Sequence, residues 1–419
     1  MDVVVEPCEI NGNIKAPASK SMMQRAVAAS LLADGTSVLA NPSYSDDCIA
    51  AMNIAEQLGA EVEKKDNEVI IRGGFRPVND MLNCGEAGLS LRMFTPVASL
   101  YDKPVTLTGT GSLMMRPVDI IKEPLKYLGV DFVSTNGFPP VTVTGPLRGG
   151  KTAIDGSLSS QFITGLLMAL PVVEKDSEIS VNRLKSTPYI DMTIQVLEHY
   201  GIETENDNYE YFRIKGRQSY KPCEFAVEGD WSGASFLLVA AALSGNISLT
   251  MLDKGSKQAD RAIIEALQKC GAKVFFQNNY VKVEKAELNA FDFDATHCPD
   301  LFPPLVALAS HCSGTSVIKG VHRLVHKESD RAMVLKNEFS GTGVKIYLEE
   351  DNMIIERGAV KGGTVDANND HRIAMAAAAT AVISKEKIKI KGAECVSKSY
   401  PDFFRDFEAI GGKVFVDAG

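Results

Sequence analysis

Several familiar motifs are missing from this chain of 419 residues, and each absence narrows the possible functions. None of the eight cysteines forms a CxxC pair, and their irregular spacing favours buried, reduced thiols in an intracellular protein. No run approaches the roughly eighteen apolar residues of a membrane span. The segment 1–17 has neither a basic nor an apolar signal-peptide region, so we expect a cytoplasmic location. The GxxxxGK[ST] phosphate loop is also absent.

Charge and composition narrow the choice further. The formal net charge is −9, which argues against a nucleic-acid partner because such proteins usually carry a basic domain. Net charge does not exclude anionic substrates, since a cleft can hold a local field of opposite sign. With 45% apolar and 23% charged residues, the chain is typical of a globular protein that needs neither disulfides nor metals for its core.

The clearest architectural signal is an internal repeat of a short helix, a glycine and an alternating strand. The glycines recur about every seventy residues, a spacing that chance rarely produces; they are Gly59, Gly129, Gly201, Gly271, Gly343 and Gly411. A glycine at this place suits the left-handed conformation that ends a helix. A second strand usually follows the first, so the pairs are predicted to form hairpins.

A second pattern lies between these copies: an apolar, Ala/Leu-rich helix, a turn and a strand, as in 236–252 and 373–392. Helices that are apolar on nearly every face are expected to be buried. Each unit of about seventy residues therefore reads β-α-β-α-β-β, and six units fill the chain. No Pro/Gly/Ser-rich linker is present, so the phase of the repeat has to place the domain boundaries, near 15–20 and 225–230.

Polar segments precede several of the apolar helices, and each has a bland interpretation beside the functional one. Lys20 and Arg25, in ASKSMMQR, suit a phosphate site at a helix start, although a solvated, capped helix is the alternative. CGEAGLSLR combines flexible glycines with Arg92, which alone is weak evidence. Ser159, Ser160 and Gln161 offer groups for a polyhydroxylated ligand, and Ser186 and Tyr189 open another helix; capping is the alternative for both.

Three later segments carry the densest charge. In 326–331, Lys327 and Arg331 share a helix face beside Glu328, and a carboxyl group among cations can transfer protons; a charged surface helix is the alternative. Asp300 precedes another apolar helix and reads more readily as a cap. In 368–375 a charged triplet enters an apolar helix, which is costly without partners and favours function. Lys398 lies in a loop and alone indicates little.

One rule unites these segments, because each lies at a helix start just after a strand. In an α/β fold such helix starts can gather on one face, and their dipoles add positive potential. The cations among them are Lys20, Arg25, Arg92, Arg116, Lys327, Arg331, Arg372 and Lys398. An acidic protein with one strongly positive cleft fits small polyanionic substrates.

At this point the motifs resemble a known family. PASKSMMQR, CGEAGLSLR, SSQFITGLLMALP, STPYIDMT, EGDWSGASF, KESDR, NDHRIAMA and KSYPDFF resemble the 5-enolpyruvylshikimate-3-phosphate (EPSP) synthases in order and spacing, from about residue 14 to 405. The resemblance implies an α/β fold described as an inside-out barrel, with two domains of three βαβαββ units around buried helices. The domains would be 1–18 plus 229–419 and the inserted 19–228, with the active site in the interdomain cleft.

The resemblance also implies the reaction and the residues that perform it. The family joins phosphoenolpyruvate to the 5-hydroxyl of shikimate 3-phosphate and releases phosphate, with no metal or cofactor; a monomer is expected, with no membrane or nucleic-acid partner. Catalysis would fall to Asp300 as the acceptor of the hydroxyl proton and to Glu328 as the donor to the methylene carbon, with Lys20 as a competing acid/base. Shikimate 3-phosphate would be bound by Lys20, Ser21, Arg25, Ser159, Ser160, Gln161, Ser186, Tyr189, Asp300 and Lys327. Phosphoenolpyruvate would be bound by Lys20, Gly88, Arg92, Arg116, Gln161, Arg331, Arg372 and Lys398.

Some positions depart from the family pattern, and two other functions stay open. Glu86 replaces a usual asparagine near the expected phosphoenolpyruvate site, and Arg323 stands where asparagine is frequent. The sister enzyme, UDP-N-acetylglucosamine enolpyruvyl transferase, shares fold and donor but uses a loop cysteine, and residues 110–116 contain none. A non-catalytic ligand-binding relative would be expected to lose several of the charged groups at helix starts, and these are present.

Overall fold

The computed structural model describes residues 1–325 and 327–417. The chain divides into two compact units, Met1–Pro17 with Glu228–Gly419, and Ala18–Val227. It passes from one unit to the other twice, each time one residue before the boundary expected from the sequence.

The elements follow the chain in this order. The strands are β1 (Asp2–Glu6), β2 (Asn11–Lys15), β3 (Thr36–Ala40), β4 (Glu61–Lys64), β5 (Glu68–Arg72), β6 (Met81–Asn83), β7 (Pro104–Thr108), β8 (Asp131–Thr135), β9 (Phe138–Thr144), β10 (Lys151–Asp155), β11 (Ser177–Asn182), β12 (Glu205–Asp207), β13 (Tyr211–Ile214), β14 (Glu224–Ala226), β15 (Asn246–Thr250), β16 (Lys273–Gln277), β17 (Tyr280–Glu284), β18 (Asp292–Asp294), β19 (Thr315–Lys319), β20 (Lys345–Glu349), β21 (Asn352–Glu356), β22 (Gly363–Asp366), β23 (Ile388–Lys391) and β24 (Lys413–Asp417). The α-helices are α1 (Lys20–Leu32), α2 (Asp46–Gln57), α3 (Gly88–Ala98), α4 (Lys122–Tyr127), α5 (Gln161–Ala169), α6 (Thr187–His199), α7 (Trp231–Ser244), α8 (Ile263–Lys269), α9 (Phe302–Ala309), α10 (Arg331–Gly341), α11 (His371–Ala381) and α12 (Phe403–Ala409).

The described residues form six four-stranded sheets with the same strand order, which confirms the predicted βαβαββ repeat. In the order β6-β7-β9-β8, the strands β6 and β7 are parallel and joined by α3, and α4 leads to the antiparallel hairpin β8–β9. The other five sheets follow the same order. Each is an open sheet, so "barrel" describes sheets and buried helices in one unit rather than a closed ring of hydrogen-bonded strands.

Three of these sheets are completed by strands that are distant in sequence. The strand β2 pairs in parallel with β15, and β14 pairs in parallel with β3. In the last repeat no strand follows β24 among the described residues, and β1 takes that place as its antiparallel partner. The strand β1 therefore completes the sheet of the last repeat.

The predicted helix ends and the predicted burial are both confirmed. All six repeat glycines have positive φ, between 77° at Gly201 and 108° at Gly59, where a side chain would be strained. The apolar helices form the core: all residues of α11 and of α3 are buried, and α7 is buried from Gly233 to Ser244. A helix that is apolar on every face is stable only when protein surrounds it. The first residues of these buried helices lie at the edge of the core.

Candidate active site

The start of α1 holds a lysine and a buried arginine. Ser19 caps the helix by accepting from the Met22 amide, and Lys20 Nζ donates to Asp47 Oδ2 at 2.8 Å. Both members of this pair are largely buried, with side-chain exposures of 13% and 12%. Asp47 was not among the residues predicted from the sequence. The sequence signal that could have identified it is its position in the first turn of α2, at a helix start.

Arg25, one turn further, is buried against neutral oxygen atoms. Its Nε donates to Thr193 Oγ1 at 3.0 Å, its Nη1 to the Ser21 carbonyl at 2.8 Å and its Nη2 to the Tyr189 carbonyl at 3.2 Å. Burial lowers the pKa of Arg25 to about 10, so the group still carries its charge at neutral pH. These contacts join the start of α1 to that of α6, and they place three predicted residues, Ser21, Arg25 and Tyr189, together.

The start of α3 gathers two more guanidinium groups. A Cβ atom at Gly88 would lie 2.6 Å from Arg116 Nη1 and 3.7 Å from Arg92 Nη1, so glycine is what admits them to the helix terminus. Arg92 donates to Gln161 Oε1 at 2.9 Å and lies over the Phe162 ring. Two buried cations at a helix N-terminus provide a strongly positive place for an anion.

A carboxylate approaches Arg116 through a serine. Arg116 Nη2 donates to Ser112 Oγ at 3.2 Å, and Ser112 Oγ donates to Glu86 Oε2 at 3.4 Å. The Glu86 carboxyl group packs on Gly111, where a Cβ would meet it at 2.6 Å. Glu86, the departure noted in the sequence, is thus linked to Arg116 through Ser112.

Serines lie at the starts of α5 and α6, and one of them accepts a hydrogen bond from a helix-start amide. Ser159 Oγ accepts from the Gln161 amide at 3.2 Å, while neither Ser160 nor Ser186 makes a side-chain cap hydrogen bond. Ser186 has φ 59°, a left-handed conformation that is uncommon outside glycine and frequent at functional sites. Its carbonyl accepts from the Tyr189 amide.

In the other unit, three cations surround Asp300. Asp300 lies in the 3₁₀ turn Pro299–Leu301 before α9; its Oδ1 accepts from Lys327 at 3.1 Å and from Arg331 at 2.9 Å, and its Oδ2 accepts from Arg372 at 3.2 Å. Burial alone would raise the pKa of Asp300, but Arg372, Lys327 and Arg331 together hold it well below its ordinary value. Asp300 is therefore a charged acceptor at neutral pH.

Arg331 is the centre of this carboxylate cluster. Its side chain is fully buried and contacts Glu328 at 2.6 Å and Asp370 at 2.9 Å in addition to Asp300. Asp370 caps α11 by accepting from the Arg372 amide, and Ser329 Oγ also donates to it. The charged residues before α11 thus have the partners that burial requires. His326 of the same motif lies outside the described residues.

Lys398 lies beside this cluster, at the end of the 3₁₀ turn Ala393–Lys398. Its Nζ donates to the Asn369 carbonyl at 2.7 Å, one residue before Asp370, and the residue is 8% exposed. Each unit therefore collects predicted residues of its own, most of them at helix starts, whereas Lys398 and Arg116 lie at the ends of 3₁₀ turns. In the described ranges no helix is both long and apolar enough to cross a bilayer.

Comparisons with known proteins identify the family. The sequence matches the family described as EPSP synthase (3-phosphoshikimate 1-carboxyvinyltransferase) over residues 4–407. The 3-phosphoshikimate 1-carboxyvinyltransferase of Clostridium novyi (strain NT) is 38% identical over 424 residues, 98% of both chains, and that of Clostridium beijerinckii is 38% identical over 97% of both.

Solved structures confirm the fold. An EPSP synthase from Acinetobacter baumannii superposes with a TM-score of 0.85 at 24% identity, over 99% of this chain and 100% of that one. The enolpyruvyl transferase NikO from Streptomyces tendae has a TM-score of 0.79 at 14% identity, over 99% and 98% of the two chains. The fold is therefore shared by enolpyruvyl transferases with different names, and sequence is what separates them. On the match across nearly its whole length, this chain is an enzyme of the EPSP synthase family.

Proposed function

We propose that this enzyme transfers the enolpyruvyl group of phosphoenolpyruvate to the 5-hydroxyl of shikimate 3-phosphate and releases inorganic phosphate. The relatives that match 97% or more of the chain are named for this activity. One observation supports it best: a largely buried carboxylate, Asp300, with 17% side-chain exposure, lies within hydrogen-bond distance of three cations that are predicted to bind the substrates.

Asp300 and Glu328 would divide the proton transfers. The 5-hydroxyl oxygen forms a bond to C2 of phosphoenolpyruvate while Asp300 accepts the hydroxyl proton. Glu328, with Lys20 as the competing donor, delivers a proton to the methylene carbon, which gives a tetrahedral intermediate. Glu328, now a carboxylate, then takes a proton back from the methyl group, the C–O bond to phosphate breaks, the double bond is restored and inorganic phosphate leaves. A carboxyl group held among cations by a buried arginine is a suitable acid/base, since its position is fixed before the substrates arrive.

The arginines and lysines would supply electrostatic stabilisation. Arg25 with Ser21, Ser159, Ser160, Ser186, Tyr189 and Lys327 would bind shikimate 3-phosphate; Arg92, Arg116, Arg331, Arg372 and Lys398, with Gly88, would bind phosphoenolpyruvate; Lys20 and Gln161 would touch both. Two phosphorylated reactants repel each other, and preorganised cations offset that repulsion in the intermediate. That residues of both units act on the same pair of substrates is part of this proposal, as are the monomeric state and the cytoplasmic location.

A phosphate-release assay with each acceptor tests the proposal. We expect turnover with phosphoenolpyruvate and shikimate 3-phosphate, no turnover with UDP-N-acetylglucosamine, and no effect of a metal chelator. Release of phosphate with UDP-N-acetylglucosamine alone would assign the chain to the sister activity. Tight binding of both ligands without any turnover would indicate the non-catalytic alternative.

A further inference from the structure

Three helices of the unit Ala18–Val227 share a polar contact about one turn behind their starts. In each of α1, α5 and α6, a buried polar residue lies four residues after one that is predicted to bind shikimate 3-phosphate. The buried residues are Arg25, Thr164 and Thr193, and they follow Ser21, Ser160 and Tyr189. Arg25 is 1% exposed and both threonines are 0% exposed. Polar groups at this depth need hydrogen-bond partners, and the hydroxyl group of Thr193 connects the three helices.

The Thr193 hydroxyl group uses its full hydrogen-bonding capacity in this contact. Its oxygen accepts from Arg25 Nε at 3.0 Å and donates to the Tyr189 carbonyl at 2.9 Å, and it lies 3.0 Å from Thr164 Oγ1. A hydroxyl group has one proton and two acceptor positions. Because the proton of Thr193 goes to the carbonyl group, Thr164 is the donor between the two threonines. All three hydrogen bonds therefore have a defined direction.

Arg25, Thr193 and the Tyr189 carbonyl group form a closed ring of hydrogen bonds. Arg25 donates to Thr193 through Nε and to the Tyr189 carbonyl through Nη2 at 3.2 Å, and Thr193 donates to that same carbonyl. The guanidinium group is thus held at two points, and the start of α6 is fixed relative to α1. All of these partners are uncharged, so the ring positions the guanidinium group without neutralising it.

Packing alone does not account for hydroxyl groups at this place. From Phe162 to Ala169, Thr164 is the one residue of α5 with a polar side chain. Valine has the shape of threonine without the polar group, so it would suit such an apolar layer. Within α6, the bond from Thr193 to the carbonyl group four residues earlier is of a kind that slightly destabilises a helix. What this contact holds in place explains it better than helix stability does.

We propose that Thr193 is a positioning residue for shikimate 3-phosphate, whose hydroxyl group holds the starts of α1, α5 and α6 in the arrangement that binds this substrate. Thr193 touches no substrate in this scheme and acts through Arg25, Tyr189 and Thr164. Arg92 and Arg116, predicted to bind phosphoenolpyruvate, take no part in the ring, so the effect should be specific to one substrate. The inference rests on the proposed assignment of these three helix starts to shikimate 3-phosphate.

Steady-state kinetics of Thr193→Val, with each substrate varied in turn, test this role. Valine removes the hydroxyl group and keeps the shape, so KM for shikimate 3-phosphate should rise about tenfold, the effect of losing one hydrogen bond to a charged group. KM for phosphoenolpyruvate and kcat should change much less. Thr193→Ser keeps the hydroxyl group and should return KM for shikimate 3-phosphate close to the wild-type value. Thr164→Val removes one of the three hydrogen bonds and should have an intermediate effect.

The matched control is Tyr200→Phe. Tyr200 directly follows α6, and its hydroxyl group forms a buried hydrogen bond with Ser30 Oγ of α1 at 2.7 Å. The control therefore removes a hydrogen bond between the same two helices at the ends that lie away from their starts. Denaturant unfolding should show a loss of stability in both variants, whereas KM for shikimate 3-phosphate should rise in Thr193→Val alone.

Calorimetric titration with shikimate 3-phosphate separates this inference from the proposed function, because it measures binding without turnover. Weaker binding in Thr193→Val, restored in Thr193→Ser, supports the positioning role. Unchanged binding in Thr193→Val, or an equal loss in Tyr200→Phe, overturns that role while the reaction stands. If the wild-type enzyme binds the substrate without turnover, the proposed reaction fails and the same titrations still decide the role of Thr193; without any binding, both fail. Should Thr193→Val not fold, Thr164→Val decides by the same criteria.

Discussion

The two units treat their buried arginines differently. In Ala18–Val227, Arg25 donates to a hydroxyl and two carbonyl groups, and Arg92 donates to the amide oxygen of Gln161. In the other unit, Arg331 contacts three carboxylates and Arg372 contacts Asp300. Neutral partners leave positive charge available to a ligand, whereas carboxylates neutralise it and become held in place. The first arrangement suits the binding of anions, and the second suits the movement of protons.

If the unit that contains Asp300, Met1–Pro17 with Glu228–Gly419, performs the proton chemistry, replacing Asp300 should affect the rate more than substrate binding. We expect Asp300→Asn to lower kcat by about 10²–10⁴-fold, the usual contribution of a general base, with a much smaller change in KM. Steady-state kinetics measure both. Asp292→Asn, an exposed carboxylate in β18, serves as control. A loss confined to KM would move Asp300 into the binding machinery.

Arg331, which contacts all three carboxylates of the cluster, should also contribute to the stability of the fold. Arg331→Met leaves Asp370, Asp300 and Glu328 without their shared partner, and breaking a buried ion pair on one side costs about 3–5 kcal/mol of unfolding free energy. Denaturant unfolding would measure this. The matched change at Arg405, which forms exposed ion pairs with Asp402 and Asp406, should alter stability little because solvent screens such pairs. An equal loss of unfolding free energy in the Arg331 and Arg405 variants would contradict a stabilising role of the buried cluster.

In the unit Ala18–Val227, replacing a buried arginine is expected to change KM more than kcat. Arg25→Gln should raise KM for shikimate 3-phosphate by roughly ten- to a hundredfold, because a hydrogen bond to a charged group contributes about 1.5–3 kcal/mol. Since Arg25 is not an acid or base in the scheme, kcat should change less. Arg213→Gln, exposed in the same unit, should leave KM unchanged. An effect on kcat alone would erase the distinction between the units.

The smallest expected effect comes from the exception in that unit. Glu86 brings a carboxylate to Arg116 through Ser112, and it competes with an incoming anion. Glu86→Gln should therefore lower KM for phosphoenolpyruvate by about threefold, the order of an exposed or part-buried charge interaction. Ser112→Ala, which breaks the same link while keeping the charge, provides the comparison. A higher KM in Glu86→Gln would show that the carboxylate supports the arginine instead.

Much of this architecture follows from local sequence signals. The six repeat glycines, the buried apolar helices and the polar helix starts were predicted because helix ends, hydrophobic periodicity and capping are properties of short segments. Asp47 and Thr193 were not identified as site neighbours. Their contacts with Lys20 and Arg25 depend on which helices pack together, and the local sequence does not encode which helices those are.

The same limit explains the last repeat. A periodic pattern predicts that β24 needs a partner strand, but it does not say that residues 2–6 provide it. This pairing also sets an order of events on the ribosome. Residues 18–227 are synthesised as one continuous block and can fold as soon as they emerge, whereas β2 must remain unpaired until β15 has been made, and β1 until β23 and β24 have been made. The strand β1 is made long before its partner strands, so the newly made protein carries unpaired strand edges for much of its synthesis.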